Sequence, residues 1–166
     1  EFRRVLFRSN LYYNGTISGK NVLNAFPLYA SAAAKGIAGA QFSLANLYAK
    51  GEGAPQDFAQ AAFWYKKAAL KGMDDAQFSL ANMYAAGQGM PQDFAQAIYW
   101  YNKAASNENL AAQYTLGVMF YNGTGVAQDL ARATDWFIQS AERGYAKSQL
   151  ILGLLYDNGK GVVRDT

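Results

Sequence analysis

Residues 40–45 read Ala-Gln-Phe-Ser-Leu-Ala, and this stretch decides the fold because it returns three more times along the chain. The same six residues stand at 76–81, while the related stretches Ala-Gln-Tyr-Thr-Leu-Gly and Ser-Gln-Leu-Ile-Leu-Gly stand at 112–117 and 148–153. Each copy begins 36 residues after the one before it. A period of this length is typical of a solenoid, in which each small unit buries its apolar face only by stacking on its neighbours.

Within one repeat, the residue pattern predicts two helices joined by a tight turn. Ala40, Leu44 and Tyr48 are four residues apart, so they share one face of the first helix. Gly51 is expected to end that helix in the left-handed conformation, and Asp57 is expected to cap the start of the second helix. Applied to the whole chain, this pattern predicts an all-α, right-handed α-solenoid with helices near 20–35, 38–50, 56–71, 74–86, 92–107, 109–122, 128–143 and 145–158.

The same register divides the chain into segments. Residues 1–9, EFRRVLFRS, fall outside it and resemble a translated adaptor sequence, so we predict that they are foreign to the array. The remaining chain is predicted to hold a degenerate partial repeat, three complete repeats and a truncated repeat, at residues 10–36, 37–72, 73–108, 109–144 and 145–166.

The composition argues against several classes of function. The formal charge is +3, but residues 1–9 supply three of the 15 basic and one of the 12 acidic residues, which leaves +1 for the rest. Because no cluster of lysine or arginine remains, we predict no nucleic-acid partner. No apolar run is long enough to cross a bilayer, so we predict no membrane insertion. The chain contains neither cysteine nor histidine.

The recurring polar and aromatic residues have structural explanations that we favour over chemical ones. A row of metal-binding or catalytic carboxylates would need its members close together, whereas neighbouring repeats lie roughly 10 Å apart. The Gly-x-Gly turns lack the strand and lysine of a phosphate-binding loop. No nucleophile–base pair is visible, so we predict that the chain is not an enzyme and has no catalytic residue, cofactor or metal site. We therefore predict helix caps at Asp57, Asp93, Asp129 and Asp165, and core packing rather than a stacking platform at Trp64, Trp100 and Trp136.

A partner is expected on the side of the first helices that faces away from the core. On a helical wheel, position 46 lies nearly opposite the face of Ala40, Leu44 and Tyr48, and position 43 flanks it. Stacking places equivalent positions in rows along the inner, concave surface, where asparagine amides can both donate to and accept from the backbone of an extended peptide. Alternatively, these side chains are merely solvated or pack against the next repeat. The predicted partner-binding residues are Ser43, Asn46, Ser79, Asn82, Thr115 and Val118.

The ordered motifs of each repeat resemble those of Sel1-like repeats. These motifs are Ala-Gln-Phe/Tyr-x-Leu-Gly/Ala, Tyr-x-x-Gly-x-Gly, Pro/Ala-Gln-Asp, Trp-Phe/Tyr and Ala-Ala, and they cover the chain from Asn10 onward. The resemblance implies a right-handed superhelix of helix hairpins, an adaptor role and a bacterial source. It leaves the compartment open among cytoplasm, periplasm and secreted form. A cysteine-rich branch of the family has a disulfide in each repeat, and this cysteine-free chain departs from that branch.

Two functional hypotheses follow from the sequence. The first is a protein–protein interaction scaffold that binds a protein or peptide on the concave surface. The alternative is the targeting or binding arm of a longer protein whose catalytic or cell-wall-associated domain lies outside this chain.

Overall fold

Eight α-helices build the part of the protein that is described in our computed structural model, which covers residues 22–159 and the side chains of 25–159. No strand occurs among these residues, so the all-α prediction is confirmed. The predicted helix ends agree with the observed ones to within two residues. The helices are α1 (Val22–Ala34), α2 (Ala38–Lys50), α3 (Phe58–Ala69), α4 (Asp74–Ala86), α5 (Phe94–Ser106), α6 (Leu110–Asn122), α7 (Leu130–Glu142) and α8 (Ala146–Asn158).

These helices form two compact units. The N-terminal unit holds α1–α4 and ends at Gln92, and the C-terminal unit holds α5–α8 and begins at Asp93. Within each unit, every helix packs against the next helix along the chain. No helix among residues 22–159 combines the length and the apolar character that crossing a bilayer requires.

Helix ends follow the capping rules that the sequence predicted. The Asp57 side chain accepts a hydrogen bond of 2.9 Å from the backbone N–H of Gln60, and Asp93 and Asp129 do the same at 2.9 and 3.0 Å in their repeats. At the other end of the first helices, Gly51 adopts the left-handed conformation with φ of 69°. The predicted cap at Asp165 lies outside the described residues.

The second glycine of the Gly-x-Gly turn is required by a close contact with a helix of the preceding repeat. Gly89 has φ of 73°, and a Cβ atom at this position would lie 2.4 Å from the carbonyl carbon and oxygen of Phe58 at the start of α3. Gly125 approaches Phe94 at the start of α5 equally closely. The turn therefore does more than reverse the chain, because it also lets consecutive repeats approach within van der Waals contact.

The second helices bury an aromatic residue that follows each tryptophan. Tyr65 and Tyr101 are only 6% and 2% exposed, and Phe137 is 1% exposed. Trp100 is also buried, whereas Trp64 and Trp136 are half-buried. The sequence analysis placed all three tryptophans in the core. The structure shows that the next residue along the chain is the better-buried aromatic in each repeat.

A glutamine in the recurring Ala/Ser-Gln motif, buried in three of its four copies, joins each hairpin to the one before it. The Nε2 atom of Gln41 donates a hydrogen bond of 3.2 Å to the backbone oxygen of Ala33, near the end of the preceding helix. Gln77, Gln113 and Gln149 make the same bond to Ala69, Ala105 and Ala141. We refer to this bond as the glutamine clip. The Ala33 carbonyl also accepts the backbone N–H of Gly36 at 2.9 Å, so the glutamine provides a second hydrogen bond to an oxygen at the helix terminus.

Candidate functional site

The six predicted partner-binding residues, which we call the first-helix row, lie on three helices. Five of them are half-buried, and Asn82 is exposed. The N-terminal unit contributes α2 and α4, and the C-terminal unit contributes α6. The row is therefore divided between the two units. Its members are Ser43 and Asn46 on α2, Ser79 and Asn82 on α4, and Thr115 and Val118 on α6.

In the N-terminal unit, a buried tyrosine links two members of the first-helix row. The Tyr65 hydroxyl on α3 donates a hydrogen bond of 2.6 Å to Oδ1 of Asn46 on α2. The Ser79 hydroxyl on α4 lies close to the Tyr65 hydroxyl, which brings α4 to the same polar group. Burial raises the pKa of Tyr65 to about 12, and the neighbouring Ser79 hydroxyl acts in the opposite direction. Asn46 is therefore not simply a solvated side chain, because its amide oxygen accepts the hydrogen bond of the buried Tyr65 hydroxyl.

Two of the three hydroxyls of the row, those of Ser79 and Thr115, are also engaged within their own helices. Ser79 donates to the backbone oxygen of Asp75 at 2.8 Å, and Thr115 donates to that of Ala111 at 2.7 Å. A hydroxyl that donates in this way still has oxygen lone pairs available. These groups can accept hydrogen bonds from a partner, but their own protons are already used.

In the C-terminal unit, the same three positions are apolar. Counting 72 residues, or two repeats, forward from Asn46, Tyr65 and Ser79 leads to Val118, Phe137 and Ile151. All three polar members of the network are thus replaced together. Val118 and Ile151 pack against the small core formed around Phe137, Ala133 and Leu155. Replacing all three residues avoids an energetic cost, because removing only one partner would leave a buried polar group unsatisfied.

The apolar replacements line a groove between α6 and α8, with α7 as its floor. Its volume is about 490 Å³, which lies within the roughly 300–1,000 Å³ range of ligand pockets. No charged side chain lines it, and the amides of Asn122 and Asn158 come from the last residues of α6 and α8. We call this the apolar groove. Its apolar walls are Tyr114, Val118, Tyr121, Phe137, Ile151, Leu154 and Leu155.

A second cavity of the C-terminal unit, about 710 Å³, lies between α5 and α7 and is more polar. Its charged residues are largely engaged with each other. Asp129 caps α7 and lies 3.5 Å from Nε of Arg132, whose guanidinium stands 5.6 Å from the centre of the Phe120 ring. The cavity holds no nucleophile with an adjacent base.

The carboxylates of the described residues do not converge on a metal-binding geometry. Residues 22–159 contain no group of three or more aspartate or glutamate side chains that could hold a metal ion. Asp57, Asp93 and Asp129, which the sequence assigned to capping, each serve their own helix.

Sequence reasoning missed the two residues that organise this surface. Tyr65 and Gln56 enter the sequence analysis only through the Trp-Phe/Tyr and Pro/Ala-Gln-Asp motifs, with no role for either side chain. The Nε2 atom of Gln56 donates a hydrogen bond of 2.8 Å to the backbone oxygen of Ala49, and so fastens the turn to the end of α2. The Gln-Asp pair recurs immediately before α3, α5 and α7. This recurrence was the signal that could have revealed the role of the glutamine.

A family model for the Sel1 repeat matches this chain five times, at residues 7–37, 38–73, 74–109, 110–145 and 146–166. The chain belongs to the Sel1 repeat family. Proteins built from Sel1 repeats generally mediate protein–protein interactions, and these helical scaffolds are typically non-enzymatic.

Solved structures with Sel1 repeats share the fold. A protective antigen present in uropathogenic Escherichia coli strains is 37% identical with a TM-score of 0.94, and the match covers 99% of this chain and 35% of the antigen. A Sel1 repeat protein from Oxalobacter formigenes is 31% identical with a TM-score of 0.94, covering 100% of this chain and 67% of that protein. The helical-solenoid prediction is thereby confirmed. The chain spans about a third of the length of the Escherichia coli antigen.

A more distant structure agrees in fold alone. Helicobacter pylori cysteine rich protein B is 19% identical with a TM-score of 0.56, and the match covers 67% of this chain and 91% of that protein. A comparison with curated proteins finds no match.

Proposed function

We propose that this Sel1 repeat chain is a protein-interaction module that holds an extended segment of a partner protein against its first helices. The observation that carries this proposal is the apolar groove between α6 and α8. An uncharged groove of this volume accommodates apolar side chains, and the asparagine amides at the ends of both helices suit the backbone of the same segment.

The first-helix row supplies different chemistry in the two units. In the N-terminal unit, Asn82 is exposed and Ser43 is half-buried, so both are accessible to polar groups of a partner. In the C-terminal unit, Val118 belongs to the apolar groove. The N-terminal unit therefore offers a polar contact surface and the C-terminal unit an apolar one. The proposed contact residues remain Ser43, Asn46, Ser79, Asn82, Thr115 and Val118, with Asn46 and Ser79 acting mainly as support through Tyr65.

The absence of catalysis is part of the same proposal. Asp57, Asp93 and Asp129 serve as helix caps, Glu108 pairs with Arg143, and the chain has no cysteine or histidine. The alternative, a binding arm of a longer protein with a catalytic or cell-wall-associated domain elsewhere, would use the apolar groove in the same way.

Selection of peptides from a displayed random library tests the proposal. We expect the chain to enrich peptides with apolar residues, and we expect Leu154→Glu to weaken their binding because it places a charge in the apolar groove. Leu150→Glu is the matched control, since Leu150 is an exposed leucine of the same helix that does not line the groove. Failure to enrich any peptide, or equal binding by both variants, would contradict the proposed site.

A further inference from the structure

The outward face of α3 exposes two large apolar side chains. Phe63 is 48% exposed and Leu70 is 69% exposed, and no other large apolar side chain is so exposed in the described part of the N-terminal unit. Leu70 follows the last helical residue but keeps helical backbone angles, so it continues the face of α3. Leu70 lies seven positions after Phe63, so the two side chains are on the same side of the helix, about 10.5 Å apart along its axis.

Two lysines stand between these apolar residues, and no acidic side chain within residues 22–159 pairs with them. The Nζ atom of Lys67 lies 4.7 Å from the centre of the Phe63 ring and 5.3 Å from that of Trp64. Lys66 and Lys67 are both exposed, and neither forms an ion pair with any residue in the described range. We call Phe63, Lys66, Lys67 and Leu70 the α3 outer patch.

The repeat fold does not require this chemistry, because the equivalent positions of the other second helices differ. Where α3 has Phe63 and Leu70, α5 has Tyr99 and Ser106, and α7 has Asp135 and Glu142. The lysine pair is reduced to one lysine in α5 and is absent from α7. The same solenoid position is thus apolar and basic in one repeat and acidic in another, so the character of the α3 outer patch is not a packing requirement.

We propose that the α3 outer patch binds an acidic amphipathic helix of a partner protein. The basis for the occupant is charge complementarity: Lys66 and Lys67 offer two unpaired positive charges beside apolar surface, which a partner carrying carboxylates beside apolar residues would match. A facing helix with apolar residues seven positions apart repeats the spacing of Phe63 and Leu70. This surface is separate from the apolar groove, so the two proposals can fail independently.

Other occupants fit the patch less well. Two lysines and two apolar side chains provide little attraction for an anionic membrane, where stable association takes several such contributions. A second copy of this chain offers α7 as an acidic face, but that face carries only one apolar residue, Ile138, between Asp135 and Glu142.

The test measures fluorescence anisotropy of a labelled synthetic peptide added to the full chain. The peptide is an acidic amphipathic helix with leucines seven residues apart and glutamates beside them, and a scrambled peptide of the same composition serves as the comparison. We expect binding that weakens on the order of tenfold or more for Lys66→Glu/Lys67→Glu and for Phe63→Gln/Leu70→Gln, and that weakens with rising salt.

The matched control variant is Lys103→Glu/Lys147→Glu, which makes the same change in net charge at exposed lysines of the C-terminal unit. Circular dichroism and thermal melting of each variant establish that it is folded before binding is compared. Equal binding of the scrambled peptide, or equal loss in the control variant, would overturn the proposal in favour of general charge attraction. Self-association that Lys66→Glu/Lys67→Glu abolishes, or binding to phosphatidylserine vesicles without binding to the peptide, would overturn it in favour of those occupants.

Discussion

Gly117 on α6 faces the ring of Phe137 on α7, and a Cβ atom at position 117 would lie 2.5 Å from ring atom Cε1. The absence of a side chain at Gly117 is therefore what allows Phe137 to occupy the core of the C-terminal unit. At the equivalent positions of earlier repeats the sequence has an alanine and a tyrosine, Ala45 with Tyr65 and Ala81 with Tyr101.

We expect Gly117→Ala to destabilise the protein by about 1–3 kcal/mol, although alanine is the better helix former, because the added methyl group overpacks the Phe137 ring. Gly153 is the control, since it occupies the equivalent position in α8 and a Cβ atom there would have no neighbour within 4 Å. Gly153→Ala should stabilise by roughly 0.5–1 kcal/mol. Urea unfolding measures both values, and a stabilising effect of Gly117→Ala would show that the core relaxes around the methyl group.

We expect Asn46→Ala to cost about 1–3 kcal/mol, because it leaves the buried Tyr65 hydroxyl without its acceptor. The sequence analysis treated position 46 as part of an exposed row, where such a change would have little effect on folding. In a Tyr65→Phe background the same substitution should cost less, since no hydroxyl remains to be orphaned. A double-mutant cycle by urea unfolding measures the coupling, and strictly additive effects would mean that the bond contributes nothing.

We expect the triple variant Asn46→Val/Tyr65→Phe/Ser79→Ile to be more stable than Asn46→Ala alone. It transplants into the N-terminal unit the apolar set found at Val118, Phe137 and Ile151, and exchanging all partners for apolar groups of similar shape is often nearly neutral. The measurement is again the free energy of unfolding. A triple variant less stable than Asn46→Ala would show that the two units accommodate these positions differently.

Glu108 is the only non-glycine residue among those described that has a positive φ, 66°, at a position where Gly36, Gly72 and Gly144 stand in other repeats. Its carboxylate is paired with Arg143 at 2.8 Å, but both side chains are exposed, so the pair contributes little. We expect Glu108→Gly to be more stable than Glu108→Ala by about 1 kcal/mol, since only glycine removes the left-handed strain. Thermal melting compares the two, and equal melting temperatures would mean that the backbone there is unstrained.

Stability should fall as the pH rises from about 10 to about 12. Burial raises the pKa of both Tyr65 and Tyr101 from 10.0 to about 12, so the folded state holds these protons more tightly than the unfolded state. Their contribution is therefore complete below pH 10 and is lost as the pH passes through the folded-state pKa. Tyr65→Phe/Tyr101→Phe should show a shallower decline in urea unfolding across this range, and an unchanged slope would argue against the raised pKa values.

The sequence alone was sufficient for the elements and their ends, because caps and glycines act locally. Asp57 and Gly51 do what their residue types favour regardless of the neighbouring repeat. Predicting which aromatic residue enters the core was harder. Trp64 and Tyr65 are adjacent and differ by about 100° around the helix, and only the packing of three neighbouring helices decides between them.

The packing of neighbouring helices also explains why the sequence did not predict the hydrogen bond of Asn46. A wheel drawn for one helix treats every position away from its main apolar face as solvated. In the structure α3 lies against the edge of that face, and the Tyr65 hydroxyl reaches Asn46 from there. The apolar groove could be anticipated in part, since the row changes from asparagine to valine, but its volume depends on Phe137, Ile151 and Leu155 from two further helices.

The glutamine clip has a consequence for how such an array changes in length during evolution. Any block of 36 residues contains one donor, such as Gln41, for the junction before it and one acceptor, such as Ala69, for the junction after it. Duplication or loss of a whole block therefore leaves every remaining junction with both a glutamine donor and a carbonyl acceptor. Gain or loss of a whole repeat in a single recombination event would therefore preserve the glutamine clip at the new boundary.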